Sequence, residues 1–300
     1  MSTQPARVMR AAPALAVLSE DEQRIIFSQL CNALEPRVAV SFSSASNELR
    51  QLTQALLQQL RSDHEAATML CLKLGISGCK ELREAKEAVW CFNGLTAADL
   101  GLLGTLGSVL PALDTLHLYE SSEGSAGLDG VQRLVARLGA GALPVVTTLY
   151  IGSIHVGDTG ASALAAALGR GALPRLEWLS LSDAAISDAG LVALAPALRQ
   201  LSALESLILW GNPFGDEGLA ALVAPPPPAA APPPPAGVLK KLKGLDLDYT
   251  QVSNAGCAAL ASALESGVLP ALVEVGLEGV PASAAAQAAV EHAHRSLTAK

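Results

Sequence analysis

The chain has 300 residues, of which half are apolar and only 3% aromatic, and its formal net charge is −8. This length suits one extended domain, or a repeat domain with a small appendage. An acidic surface repels phosphate backbones, so the charge argues against a nucleic-acid partner. No apolar run reaches the roughly 18 residues of a spanning helix, because Asp99 interrupts the best candidate, Leu95 to Leu110. No membrane partner is expected.

Residues 1–17 are predicted to form a flexible tail. They carry Arg7 and Arg10 but no acid, and an apolar stretch from Ala11 to Leu18 follows. Two interpretations stay open, a transit peptide and a disordered tail that leads into a helix, and we favour the tail.

Residues 18–60 have the pattern of short amphipathic helices. Ser19 precedes a helical pattern, with Glu22 three residues further on, which is the arrangement of a capping box. Leu49, Leu52, Leu56 and Leu60 then recur at helical spacing. Residues 61–94 are predicted to continue as a helical cap, with Trp90 and Phe92 sealing one end of a core.

The segment 18–60 resembles an F-box. The matching positions are Leu18, Ile25, Ile26, Leu30, Leu34, Val40, Phe42, Leu49 and Arg50. The resemblance implies that a Skp-type adaptor contacts Leu18, Ile25, Ile26, Leu30 and Leu34. Two departures count against it, since Ser19 stands where the family has Pro and Glu48 where it has Trp. The alternative is a helical cap that covers the first strand of a solenoid.

Residues 95–300 contain an internal repeat. Six segments open with Leu, usually followed by Pro, and continue as Leu-x-x-Leu-x-Leu or a close variant. They begin at Leu110, Leu143, Leu173, Leu201, Leu239 and Leu269, in steps of 33, 30, 28, 38 and 30 residues. The longest step contains a proline-rich loop at 224–237, which we interpret as a tolerated insertion, with recognition of its polyproline helix by another module as the alternative.

Each segment combines a strand with a helix. Its first half alternates, as in Leu179-Ser180-Leu181, which is typical of a strand with one buried face. Its second half repeats Ala and Leu at helical spacing. An acid or amide stands at the start of each helical pattern and is predicted to cap that helix: Asp158, Asp188, Asp216 and Asn254.

This pattern resembles the ribonuclease-inhibitor-like subclass of leucine-rich repeats. The resemblance implies an α/β solenoid, with a curved parallel sheet inside and helices outside, here preceded by an all-helical cap. The position where the family has Asn or Cys is degenerate in this chain and reads Ser121, Ile154, Ala184, Asn212, Thr250 and Val280.

The x positions of the motif are predicted to lie on the concave face of the sheet. That face receives all three Tyr of the chain and two of its three Trp: Tyr119, Tyr150, Tyr249, Trp178 and Trp210. Nine acids join them: Asp114, Glu120, Glu177, Asp183, Glu205, Asp246, Asp248, Glu274 and Glu278. Lys243 is the only Lys or Arg at these positions.

Aromatic side chains within charge of one sign favour a protein-binding surface. We therefore expect a non-catalytic module that binds a basic protein through Tyr119, Glu120, Tyr150, Trp178, Asp183, Trp210, Asp246, Asp248, Tyr249, Glu274 and Glu278. The alternative is that the charges keep an exposed sheet soluble and the aromatic residues satisfy strand propensity.

Two further functions follow from the resemblances. An F-box before leucine-rich repeats implies a substrate receptor of an SCF-type ubiquitin ligase. The ribonuclease-inhibitor-like subclass implies an inhibitor or regulator of a basic enzyme.

No motif predicts catalysis, a metal site or a cofactor. Cys71, Cys79 and Cys91 lack the spacing of a zinc site. The chain has an odd number of Cys, five, which indicates reduced, buried thiols and a cytoplasmic or nuclear protein.

Overall fold

The computed structural model describes residues 18–91, 93–119, 126–224 and 239–298, with side chains to residue 296. The predicted tail 1–17, Phe92, Glu120, Ser121 and all but the first residue of the proline-rich loop lie outside these ranges. The chain divides into two compact units, residues 1–83 and 84–300.

The described part of the first unit is helical. Its helices are α1 (Glu20–Leu30), α2 (Arg37–Ser43), α3 (Asn47–Lys73) and α4 (Cys79–Glu84), the last of which ends one residue beyond the unit. The predicted capping box is present, because the Ser19 hydroxyl accepts from the Glu22 amide while the Glu22 carboxylate accepts from the Ser19 amide. Phe27 is buried between these helices and packs on Phe42, with ring centroids 6.0 Å apart.

The boundary expected after residue 60 does not coincide with a structural one, since α3 runs through it without a break. The helical cap expected over residues 61–94 also differs from the structure, in which Glu87–Cys91 form a strand. Ala88 and Trp90 point into the core there while Glu87, Val89 and Cys91 are exposed. This alternation suits a strand better than a helix. The second unit therefore contains seven strands rather than six.

The second unit is one parallel sheet with a helix after each strand. The strands are β1 (Glu87–Cys91), β2 (Thr115–Tyr119), β3 (Thr148–Gly152), β4 (Trp178–Ser180), β5 (Ser206–Ile208), β6 (Gly244–Asp246) and β7 (Glu274–Gly276). The helices are α5 (Ala97–Leu106), α6 (Gly130–Ala136), α7 (Gly157–Gly169), α8 (Asp188–Leu198), α9 (Asp216–Val223), α10 (Asn254–Glu265) and α11 (Ala284–Thr298). The strands pair in chain order. The predicted α/β leucine-rich-repeat solenoid with an N-terminal helical region is confirmed.

The core consists of leucine layers. Leu116, Leu149, Leu179, Leu207 and Leu245 occupy one register row across β2 to β6 and are all buried. Burial of each such side chain contributes about 2 kcal/mol relative to exposure. Consecutive helices from α5 to α11 contact one another in chain order and so form one layer on one side of the sheet, as expected for right-handed crossovers between strands that pair in chain order.

Aspartates at the helix starts join neighbouring repeats. They were expected to cap their own helices, but in the structure they cap the next one along the chain. Asp188 Oδ1 accepts from the amides of Gly215 and Gly218, at 2.9 and 2.7 Å, which belong to the first turn of α9 and its approach. Asp158 bonds the amide and hydroxyl of Ser187 in the same way.

The same bond recurs further along the sheet. Asp216 accepts from Ser253 and Gly256 at the start of α10, and Asn254 accepts from the amide of Ser283 before α11. Gly256 is required for space, because a Cβ there would overlap the Asp216 carboxylate. Each carboxylate thus lies at two helix N-termini, where negative charge is stabilising.

The five cysteines differ in burial. All five Cys are free, as predicted, but Cys91 is exposed and Cys31 half-buried, so the expectation of uniformly buried thiols is wrong for these two. Cys91 is exposed because it alternates with Trp90 at the end of β1.

Replacing Asp188 with Ala tests the inter-repeat bonds. The variant leaves the amides of Gly215 and Gly218 without their carboxylate, so we expect it to lose about 2 kcal/mol in the free energy of unfolding. All three Trp lie in the second unit, so urea unfolding followed by Trp fluorescence reports on that unit alone. Glu217→Ala, which removes an exposed acid of the same helix turn, should change stability by less than about 0.5 kcal/mol.

Asp216 predicts an acid-dependent contribution to stability. Burial acts to raise the pKa of Asp216, but the hydrogen bonds from Ser253 and Gly256 outweigh it and hold that pKa below its usual range. A lowered folded-state pKa stabilises above the unfolded-state value of about 3.9, and this stabilisation is lost as the pH falls through the folded value. Wild type should therefore be more stable than Asp216→Asn at pH 7, and the gap should close below about pH 4. A stability difference between wild type and Asp216→Asn that does not change with pH would contradict the lowered pKa of Asp216.

Candidate protein-binding face

The concave face is the sheet face opposite the helices, formed by the exposed alternate residues of β1 to β7 and the residue or two after each strand. Its first register row runs Glu87, Thr115, Thr148, Trp178, Ser206, Gly244 and Glu274. Its second row runs Val89, His117, Tyr150, Ser180, Ile208, Asp246 and Gly276. Adjacent members of a row are about 4.8 Å apart across the sheet.

One aromatic cluster lies over β2 and β3. The Tyr150 ring is 5.5 Å from His117 and 6.3 Å from Tyr119, measured between ring centroids. Tyr150 also covers Gly152, where a Cβ would collide with the ring. Burial is the largest of the causes that raise the pKa of Tyr150, followed by Tyr119 and Asp183. The three rings of this cluster are half-buried and contact one another.

A second group of aromatic residues lies over β4 to β6. Trp178 and Tyr249 are 46% and 49% exposed, which is high for such large side chains. Tyr249 meets Trp210 edge-on at 5.6 Å and donates a hydrogen bond to Glu278 at 3.1 Å. Exposed aromatic surface held in place by neighbours is typical of contact residues in interfaces.

The turn after each strand from β3 to β7 has a left-handed residue at the same position. These residues are Ser153, Asp183, Gly211, Tyr249 and Gly279. The side chains of Asp183 and Tyr249 extend over Gly211 and Gly279 of the following repeat, where a Cβ would leave them no room. A non-glycine residue in this conformation costs roughly 1–2 kcal/mol, so Asp183 and Tyr249 are held at an energetic cost.

Carboxylates concentrate at the β6–β7 end of the concave face. Asp246 Oδ1 accepts from the Asp248 amide at 2.9 Å, and Asp248 Oδ1 accepts from the Glu278 amide at 2.6 Å. Burial raises the pKa of Asp246, and the charge of Asp248 acts in the same direction. Glu274 and Glu278 are exposed beside them. The field at this end of the sheet is negative.

Basic side chains do little to offset this charge. Lys243 is bound to Glu205, with 2.6 Å between Nζ and Oε2. Across the ranges that the structure resolves, no Lys, Arg or His forms an ion pair with Asp246, Asp248 or Glu274. Lys86 is exposed at the opposite edge of the sheet, where it precedes β1.

The structure brings the predicted contact residues onto one face, apart from Glu120, which lies outside the described residues. Asp183 is exposed as a residue, yet its carboxyl lies against Gly211 and burial raises its pKa. Lys86, Val89 and Cys91 were not predicted to lie on this face, and they extend it by one strand. A period-two pattern from Glu87 to Cys91 was the available signal.

Comparison with known proteins supports this assignment of the repeats. Residues 176–195 and 201–223 match the sequence model of the family described as Leucine Rich repeat. These matches cover β4, β5 and the helices that follow them. Both segments are therefore similar to the repeats of leucine-rich-repeat proteins. Proteins of this class generally mediate protein–protein interaction. No curated protein matches the chain.

Two solved structures are similar to this chain. The tropomodulin C-terminal domain from Caenorhabditis elegans is 20% identical, and the match covers 50% of this chain and 83% of that one, with a TM-score of 0.36. An internalin from Listeria monocytogenes is 17% identical, and the match covers 77% of this chain and 86% of that one, with a TM-score of 0.26. At these TM-scores neither structure bears on what the concave face binds.

The predicted adaptor contacts of the first unit differ in exposure. Ile25 is 61% exposed, and Leu18, Ile26 and Leu30 are half-buried. Leu34 is buried in the core of the first unit, where its apolar surface is already covered.

Two features are absent from the described residues. None of their helices is both long and apolar enough to cross a membrane. No group of three or more His, Cys, Asp or Glu side chains among them is arranged to hold a metal ion.

Replacing Glu278 with Gln tests the geometry at the acidic end of the face. The hydrogen bond from the Tyr249 hydroxyl to Glu278, together with the negative charge of that carboxylate, raises the pKa of Tyr249. Gln keeps an acceptor but removes the charge, so the Tyr249 pKa should fall towards the usual value of about 10. NMR titration of ¹³C-labelled tyrosine measures this, with Glu177→Gln as the matched control that leaves Tyr249 unchanged. An unchanged Tyr249 pKa in Glu278→Gln would contradict the contact.

Proposed function

We propose that this chain is a leucine-rich-repeat interaction module without catalytic activity, and that it binds a basic segment of another protein on its concave face. The observation that carries the proposal is the arrangement of charge and aromatic surface on one side of the sheet. Trp178, Tyr249 and the carboxylates of β6–β7 lie together, and Lys243 is already neutralised by Glu205.

Two physical effects support a basic partner. Carboxylates of one sign raise the rate at which an oppositely charged partner arrives, and they disfavour acidic competitors. Exposed Trp and Tyr then supply contact area at low entropic cost and also attract cations to their ring faces. A partner with an extended basic segment would use both effects along the row from Trp178 to Glu274.

A double substitution tests the contact surface. The partner is first captured from host lysate with the full chain and identified, and its affinity is then measured by calorimetry. Trp178→Ala/Trp210→Ala should raise Kd by at least about tenfold, because interface Trp residues are frequent hot spots. Val192→Ala, which truncates an exposed apolar residue of α8 on the helix side, is the matched control. Equal affinity of wild type and the double variant would exclude the concave face.

Salt dependence tests the charge of the partner. If carboxylates steer a basic segment, the association rate should fall clearly between low salt and about 0.15 M, where the Debye length is roughly 8 Å. An association rate that does not respond to salt would indicate an uncharged epitope.

A second candidate function is that of a substrate receptor in an SCF-type ubiquitin ligase, with residues 18–60 as the adaptor-binding segment. It is favoured by the compact helical unit and by the exposed side chain of Ile25 on α1. A Skp-type adaptor should then co-purify with the full chain and be lost in Ile25→Asp, while the concave-face partner stays bound. Val38→Asp, at an exposed residue of α2, is the control. If no adaptor co-purifies with wild type, these helices serve as a cap.

A third candidate, inhibition of a basic enzyme, rests on the resemblance to the ribonuclease-inhibitor-like subclass. The full helices between strands, such as the 13-residue α7 and 12-residue α10, favour this subclass. The captured partner would then be an enzyme whose turnover stops when the complex forms. If the captured enzyme keeps its turnover in a saturated complex, the chain is a binding scaffold and not an inhibitor.

A further inference from the structure

A groove crosses the concave face between β4 and β7. It has a volume of about 340 Å³ and is lined on one side by Trp178 and Ile208, and on the other by Asp246, Asp248 and Glu274. It therefore has an aromatic and apolar wall facing an acidic one.

Missing side chains create this groove. In the first register row, Ser206 and Gly244 are the two residues between Trp178 and Glu274. A Cβ at Gly244 would meet only the Ser206 side chain, with Oγ at 3.4 Å and Cβ at 4.0 Å, so the space above this glycine is open. A glycine in a strand interior weakens the strand, and it often marks a place where another group approaches closely.

The carboxylates of the groove converge on one point. A Cβ at Gly276 would lie 2.7 Å from Asp248 Oδ1 and 2.9 Å from Asp246 Oδ1, so these two oxygens meet above the same glycine. Glu274 is the register neighbour of Gly244 on the adjacent strand. None of the described cations pairs with these three acids. The Asp248 and Glu278 amides already donate to these two oxygens, and a cation would offset the repulsion that remains between the two charges.

We infer that the groove is a slot for the guanidinium group of an arginine side chain carried by the basic partner, stacked on Trp178 and bonded to the carboxylates of Asp246, Asp248 and Glu274. This inference rests on the proposed function and names the residue type that the concave face selects. A planar guanidinium stacks on an indole and forms paired hydrogen bonds with carboxylates. The ammonium of lysine is more strongly hydrated and lacks the planar fork.

The test uses the full chain and three synthetic octapeptides as probes, with alternating Arg and Ser, Lys and Ser, or Glu and Ser. Affinity is measured by NMR titration, and the indole N–H signal of Trp178, identified with Trp178→Phe, locates the binding. Wild type should bind the Arg peptide at least about fivefold more tightly than the Lys peptide. The bound Arg peptide should shift the Trp178 signal, and the Glu peptide should not bind.

The decisive variant fills the slot without changing its charge. Gly244→Val places a strand-favouring side chain in the open space and retains every acid and aromatic residue. Gly244→Val should weaken binding of the Arg peptide about tenfold and abolish the preference for the Arg peptide over the Lys peptide. A second pair of variants covers the case in which this substitution disturbs the fold. Glu274→Gln should weaken the Arg peptide, whereas Glu177→Gln, which removes the same charge outside the groove, should have little effect.

The outcomes separate the slot from the proposed function. If both basic peptides bind equally, and Gly244→Val and Glu274→Gln leave the Arg peptide at wild-type affinity, the slot is wrong while the basic-partner proposal survives. If neither basic peptide binds, the proposed function itself fails and the slot fails with it. Loss of Arg preference in Gly244→Val with intact Lys binding supports both.

Discussion

The carboxylate bonds between successive repeats are the constraint on which the rest of the second unit depends. Asp158, Asp188 and Asp216 each accept hydrogen bonds from the first turn of the following helix, or from the residue before it. Helix N-termini carry unsatisfied amides, and those of α8, α9 and α10 are capped from the repeat before them. This dependence fixes the spacing of the helices, and with it the register of the strands to which they are joined.

A fixed register gives the concave face its chemistry. Because every strand presents equivalent positions to the same row, a small residue in one repeat creates space beside a large residue in a neighbouring repeat. Gly211 accommodates Asp183, Gly279 accommodates Tyr249, and Gly244 opens the groove beside Glu274. The composition and burial of the face therefore change along the sheet. Its β2–β3 region is aromatic and half-buried, whereas its β6–β7 region is acidic, with Asp246 and Asp248 half-buried and Glu274 and Glu278 exposed.

The sequence sufficed for the features that depend on periodicity. Leucines at Leu-x-x-Leu-x-Leu spacing predicted the strands, and alternation then placed Trp178 and Tyr249 on the concave face. The sequence did not predict β1, since residues 82–91 lack the leucine motif and only the Ala88–Trp90 alternation marks the strand. It also assigned the aspartates to their own helices, because a single repeat cannot show that Asp188 reaches the amide of Gly218. The groove at Gly244 and Gly276 likewise depends on register between strands 30 residues apart in sequence.

Carboxyl footprinting of the complex tests the central claim that partners bind the acidic end of the concave face. Carbodiimide labelling followed by mass spectrometry would be measured for the free chain and for the chain with its captured partner. Labelling of Glu274 and Glu278 should fall strongly in the complex, while the helix-side residues Glu217 and Glu265 should label as before. Protection of Glu217 and Glu265 with unchanged Glu274 and Glu278 would place the partner on the helices and contradict the account.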